Sequence, residues 1–234
     1  MAKARQHSGA SDRFINTGGQ SGVQRTWRKR EVNEIFRNGS PNRVIRAMNY
    51  PNKSIVLIGM MGAGKSAVGR CLQWQTGFLR FDTDDMVKSK FGIPIPEIFS
   101  AHGEDKFREA ETEALRKISS DQHSIIVTGG GIVLREENIE LLKRLGVVVW
   151  LAGDEETLFK RTSRVGNRPL LQRKSPRKVF ARMLQARLPI YAKIADIRVD
   201  TSVLTDEEVA VAILTKLRRH CRKSAPAPPM PAIE

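Results

Sequence analysis

Gly59-Met-Met-Gly-Ala-Gly-Lys-Ser66 matches the pattern G-x-x-x-x-G-K-[ST] in full and follows the apolar run Ser54-Ile-Val-Leu-Ile58 without a break. In that setting a buried strand delivers the chain to a turn. There Gly59, Gly62 and Gly64 let the backbone curl, so that successive N–H groups point at phosphate oxygens. Lys65 and Ser66 then open a helix. Their side chains are suited to the β/γ-phosphates and to a Mg²⁺ ion respectively, and the helix N-terminus adds a fixed positive potential. A glycine-rich turn with an exposed lysine is the plain alternative. Against it, strand, loop and the helix through Ala67-Val-Gly-Arg-Cys-Leu72 arrive in the required order. The loop specifies a nucleoside triphosphate and leaves the acceptor open.

Phe81-Asp-Thr-Asp-Asp85 closes a second β-rich run. Strand alternation places Asp82 and Asp84 on one side and Thr83 on the other, at the strand end that faces the phosphate loop. Two carboxylates there can divide the labour: one holds water on Mg²⁺, the other accepts a hydrogen bond from an attacking hydroxyl. Aspartate at a strand-to-helix turn also caps helices, and Asp85 is assigned that role. Thr128-Gly-Gly-Gly131 follows a third run and offers a ligand backbone N–H groups with no side chains in the way, although a flexible turn fits the same residues. Arg108 falls in the helical pattern Glu104–Ile118, beside an apolar stripe of Phe107, Ala110, Ala114, Leu115 and Ile118. Periodicity predicts an exposed, salt-bridged arginine there and gives it no function.

The elements that must position these residues alternate between strand and helix. Short β-rich runs at Ser54–Ile58, Phe78–Phe81, Ser124–Thr128, Val147–Leu151 and Ile197–Val199 are separated by helical patterns. This rhythm predicts an α/β fold, a five-stranded parallel sheet between two helical layers, with ligands at the carboxyl ends of the strands. The runs Ile125-Ile-Val127 and Val147-Val-Val-Trp150 are apolar throughout, as strands covered on both faces require. A capping box, Thr205 to Glu208, opens a last helix whose Val209, Ala212, Ile213 and Leu217 form one apolar face.

With 234 residues, 40% of them hydrophobic, the chain can bury one full core. No apolar run is long enough to cross a bilayer and the N-terminus lacks a secretory signal, so no membrane partner is expected. Cys71 and Cys221 provide neither a disulfide framework nor metal-ligand spacing, and the four histidines are scattered. The net charge is +15, but residues 1–50 carry ten Lys or Arg against three acids in a stretch rich in Gly, Ser, Asn and Gln. That places much of the excess in a tail expected to be disordered and weakens a nucleic-acid reading. An organellar presequence or a basic arm for an anionic partner are alternatives for it. Residues 51–220 are expected to hold the catalytic unit, and 221–234 form a Pro-rich tail.

Taken together, Gly62-x-Gly-Lys-Ser66, Asp82-Thr-Asp84, Gly103-Glu-x-x-Phe-Arg108, Gly129-Gly-Gly131, Arg161 with Arg168-Pro-Leu-Leu171, and Arg187-x-Pro-x-Tyr191 resemble the shikimate kinases, with all blocks in order. The resemblance implies a nucleoside-monophosphate-kinase-like phosphate-loop fold. It also implies transfer of the ATP γ-phosphoryl group to the 3-hydroxyl of shikimate by a cytoplasmic monomer. ATP contacts then come from Gly62, Ala63, Gly64, Lys65, Ser66, Ala67, Arg161 beside the adenine and Arg168 on a lid at about 162–177. Ser66 and Asp82 serve Mg²⁺, Asp84 meets the acceptor hydroxyl as base, and Arg108, Arg187 and the Gly130 backbone hold shikimate. Lys65 and Arg168 join Asp84 as catalytic groups. The lid also has a local rationale, since residues 162–177 are polar, basic and punctuated by Gly166, Pro169 and Pro176. Ala67 departs from the pattern, where the family usually has a second hydroxyl. Another small phosphate-loop kinase, such as a gluconate kinase, shares the loop. A noncatalytic binding protein is the rival of a different class, which the presence of Asp84, Arg108 and Arg187 disfavours.

Overall fold

The computed structural model describes residues 53–164 and 175–224. The basic segment 1–50, residues 225–234 and Arg168 lie outside the described residues, whereas residues 221–224 of the expected Pro-rich tail are helical. The described chain runs β1 (Ser54–Ile58), α1 (Lys65–Thr76), β2 (Leu79–Asp82), α2 (Thr83–Phe91), α3 (Ile95–Arg116) and β3 (Ser124–Val127). It continues with a 3₁₀ turn (Ile132–Leu134), α4 (Glu136–Leu145), β4 (Gly146–Ala152), α5 (Glu155–Arg164), α6 (Pro176–Ile194), β5 (Ile197–Asp200) and α7 (Asp206–Ser224).

The five strands form one sheet in the order β2-β3-β1-β4-β5, and every pairing is parallel. The central strands β1, β3 and β4 are buried at every residue, which is why their sequences are apolar without alternation. At the edge, β5 alternates buried Ile197 and Val199 with exposed Arg198 and Asp200. The two polar residues that open β1 and β3 solve their own desolvation problem. Ser54 Oγ and Ser124 Oγ lie 2.8 Å apart and Ser54 Oγ also accepts from Ser124 N.

Because all strands run the same way, the phosphate loop after β1, Asp82 at the end of β2, Thr128 after β3 and Thr201 after β5 gather at one edge of the sheet. The capping box is present, with Thr205 N donating to Glu208 Oε2 and Glu208 N to Thr205 Oγ1. Beside the main core lies a smaller cluster of Val87, Ile98, Phe107, Ala110 and Ala114 from α2 and α3. This cluster holds α2 and α3 together as a wall next to the strand ends. The helical pattern from Glu104 extends backward to Ile95, but Gly103, at φ 80° and ψ 170°, breaks the helix immediately before Glu104. No helix among the described residues is long and apolar enough to cross a membrane.

Candidate active site

The phosphate loop has the backbone its glycines are needed for: Gly62 and Gly64 sit at φ 83° and 82°, a region costly for any residue with a Cβ. Ala63 N donates to Met60 O, and Val68 N to Gly64 O at the start of α1. Space is equally restricted. A Cβ on Gly62 would lie 2.2 Å from Leu158 O, because α5 presses against the loop. Lys65, almost fully buried, arches back so that its Nζ donates to Gly59 O at 2.8 Å and Met60 O at 3.0 Å. Its ammonium is thereby held over the concave face of the loop.

Asp82 and Asp84 are close to the loop, but not by strand alternation. The strand ends at Asp82 and the helix starts at Thr83, so Asp84 belongs to the first turn of α2. Asp82 is itself the N-cap, accepting from Asp84 N at 3.1 Å through Oδ1. The capping role expected of Asp85 therefore falls to Asp82, and Asp85 forms an exposed ion pair with Lys88. The other oxygen, Asp82 Oδ2, accepts from Ser66 Oγ at 3.3 Å. A hydroxyl and a carboxylate oxygen side by side are hard donors that suit Mg²⁺, which takes one or two protein ligands and keeps waters and phosphate oxygens for the rest.

Arg108 overturns the expectation of an exposed arginine. It is buried, with Nη1 donating to Glu111 Oε2 at 2.6 Å and Nη2 to Glu104 Oε1 at 2.9 Å. Burial alone would lower its pKa, but the two carboxylates more than offset this and hold it above the ordinary value. Arg187 is also buried, on α6, with Nη1 near Met60 Sδ of the phosphate loop. The glycines after β3 explain how these groups share the space. A Cβ on Gly129 would lie 2.6 Å from Glu111 Oε1 and 2.7 Å from Asp84 Oδ1, and one on Gly131 would lie 2.5 Å from Arg108 Nη1. None of the three glycines has a positive φ, so the requirement is close approach rather than conformation. Thr83 Oγ1 accepts from Gly129 N, and Tyr191 Oη donates to Gly130 O at 2.5 Å. Burial pushes the Tyr191 phenol up to about 12, which keeps it a neutral donor.

Glu111 and Tyr191 acquire roles that spacing alone did not assign. The available signal for Glu111 was its position three residues after Arg108 on one helix face. Burial pushes its carboxyl up to about 7 and Asp84 adds to this, while Arg108 and Arg187 pull the other way. Its Oε1 has no hydrogen-bond partner among the described residues. As pH rises from about 4.5 to about 7 the unfolded chain ionises this group while the folded one retains the proton, so stability falls through that window and levels above it. At 1.36 kcal/mol per unit the loss is on the order of 3 kcal/mol. Glu111→Gln removes the titration, so the Tm of the variant minus that of the wild type should increase across this window. A difference that stays flat in thermal melts would show that Glu111 ionises normally in the folded protein.

Arg161 lies on α5 and donates to Thr201 O at 2.8 Å and to Ser202 O at 3.4 Å, beside the loop after β5 and away from Arg108. At the expected lid, Thr162 is buried within α5 and Pro176 and Arg177 open α6. Residues 165–174 lie outside the described residues.

A strand, a phosphate loop and a helix on a five-stranded parallel sheet, with acidic and basic side chains gathered beside the loop, define a phosphate-loop kinase of the nucleoside-monophosphate-kinase-like group. The shikimate kinase family model matches residues 61–218. A shikimate kinase from Thermodesulfovibrio yellowstonii is 43% identical over 167 residues, covering 71% of this chain and 96% of that protein. A shikimate kinase from Acinetobacter baumannii, solved in complex with shikimate, superposes with a TM-score of 0.68 at 37% identity, over 70% of this chain and 92% of that one. A gluconokinase from Sinorhizobium meliloti, at 19% identity and a TM-score of 0.50, shares the fold alone, over 75% of this chain and 98% of that one. The chain belongs to the shikimate kinase family, ATP-dependent phosphotransferases with an alcohol acceptor.

Proposed function

We propose that this chain transfers the γ-phosphoryl group of ATP to the 3-hydroxyl of shikimate, giving shikimate 3-phosphate and ADP on the route to chorismate and the aromatic amino acids. The observation that carries this reading is the convergence of Asp84, Arg108, Glu111 and Arg187 on the three glycines beside the phosphate loop. An acceptor with a carboxylate at one end and a hydroxyl at the other fits that arrangement. Arg108 and Arg187 take the carboxylate, since guanidinium forks match carboxylates. Asp84 takes the hydroxyl and receives its proton. The backbone of Gly130, fixed by Tyr191, lines the same space.

At the nucleotide end, backbone N–H groups of Gly62 to Ala67 cradle the phosphates and Lys65 turns from its loop carbonyls to the β/γ oxygens. Ser66 and Asp82 hold Mg²⁺, which when bound neutralises charge on the phosphates. Arg161, on the helix that presses on the loop, flanks the adenine. Arg168 closes over the transferring group as part of a lid, and charge stabilisation by such an arginine is a general device in phosphoryl transfer. The enzyme works as a cytoplasmic monomer.

The reading is tested by ADP release with shikimate, quinate and gluconate offered in parallel at equal concentration. Shikimate is expected to give the highest kcat/KM by a wide margin. Comparable turnover of gluconate, or none of shikimate, would overturn it.

A further inference from the structure

We propose that Glu104 is a built-in stand-in for the acceptor's carboxylate, occupying the Nε/Nη2 edge of Arg108 and swinging out when the acceptor binds. This rests on the reading of Arg108 as a carboxylate-binding residue. Glu104 Oε1 accepts from Arg108 Nε at 3.3 Å and from Nη2 at 2.9 Å, while Nη1 is taken by Glu111. The Nε/Nη2 edge is one of the two along which a guanidinium makes paired bonds to a carboxylate. Both partners of Arg108 are thus acids of its own helix, but they are not equivalent. The side chain of Glu111 is 1% exposed and that of Glu104 is 56% exposed. Glu111 has nowhere to go, whereas Glu104 can rotate into water and keep its charge solvated.

Charge decides that one of them must leave. Arg108 and Arg187 bring two positive charges to this corner, and Glu104, Glu111 and Asp84 bring carboxyls. A further carboxylate docking against Arg108 with Glu104 in place would crowd two like charges onto one edge, and like charges at contact distance are repulsive. With Glu104 rotated out the incoming group takes over its bonds. The helix break at Gly103 lies one residue earlier. Glu104 therefore stands in the first turn of the segment Glu104–Arg116, where an acid is favoured by the helix dipole in either rotamer. The stand-in keeps a buried guanidinium paired before the acceptor arrives, and the acceptor must outcompete it, which raises the apparent Kd.

The test is isothermal titration of shikimate into the full chain for wild type, Glu104→Gln, Glu104→Asp and Arg108→Ala, with steady-state kinetics beside it. An exposed ion pair is worth about 0.2–1 kcal/mol, so Glu104→Gln should tighten shikimate binding by about 1.5-fold to 5-fold, seen as a lower KM for shikimate. Glu104→Asp keeps the charge but falls a methylene short of the guanidinium, and should tighten binding as well. Unchanged or weaker binding in Glu104→Gln overturns the proposal and makes Glu104 a positioning residue or a bystander. Tightening in Glu104→Gln without tightening in Glu104→Asp also overturns it, since long-range charge would then be the cause. Arg108→Ala tests the underlying reading separately: shikimate binding within about twofold of wild type would remove Arg108 from the carboxylate site whatever Glu104 does.

Discussion

Asp84→Asn should lower phosphoryl transfer to shikimate by about 10² to 10⁴, the range for loss of a general base, with ATP binding nearly intact. The substitution preserves shape and removes only the capacity to accept a proton. Asp84 lies in the first turn of α2, half-buried, with its Oδ1 toward Gly129 and its charge felt by Glu111. Its backbone N–H already serves the Asp82 cap, and an amide side chain leaves that bond untouched. The Mg²⁺ donors Ser66 and Asp82 should therefore stay in register. Single-turnover rates measured beside nucleotide affinity separate the two effects. Wild-type turnover in the variant would remove Asp84 from the proton path, and loss of ATP affinity equal to the loss of rate would make it a nucleotide or metal ligand instead.

Gly129→Ala should reduce kcat by about 10², because displacing a reacting group by roughly 1 Å can cost that much, while changing the Tm little. The added methyl would lie 2.6 Å from Glu111 Oε1 and 2.7 Å from Asp84 Oδ1. Something has to move, and the two carboxylates differ in what they can do. Glu111 is sealed in, with its Oε2 tied to Arg108, whereas Asp84 is only half-buried and turns away. The atoms that yield are side-chain ends, so the backbone survives, and Gly129 has no positive φ for an alanine to violate. Circular dichroism melts and nucleotide binding should match wild type. Near-normal turnover would show that Asp84 has room to spare, and a large drop in Tm would mean that the loop itself cannot accept the methyl.

The phosphate loop was legible because its chemistry is local. Eight consecutive residues carry the turn, the ammonium and the hydroxyl, and the preceding apolar run dictates that a buried strand delivers them. Strand order was not local, yet the alternation of apolar runs with helical patterns restricted the fold to a parallel α/β sheet, whose geometry places all the strand ends on one edge. The Asp82–Asp84 pair shows where such reasoning stops. Alternation extends a strand through Asp84 and leaves the cap to Asp85, but a side-chain cap at Asp82 makes the helix start at Thr83.

Arg108 and Glu111 lay further out of reach. Helical periodicity sorts residues by hydrophobicity, and a buried ion pair on the rim of an apolar stripe reads as surface until the wall against it is known. That wall is the glycine run after β3, separated from Arg108 by the rest of α3 and by β3 itself. By itself the sequence determined the phosphate loop, the parallel sheet and the order of the blocks, because each follows from contacts between near neighbours or from a period. Tertiary structure alone decided that Arg108 and Glu111 are buried against the glycine run with Asp84 and Arg187 beside them, because desolvation depends on distances between elements that no local pattern encodes.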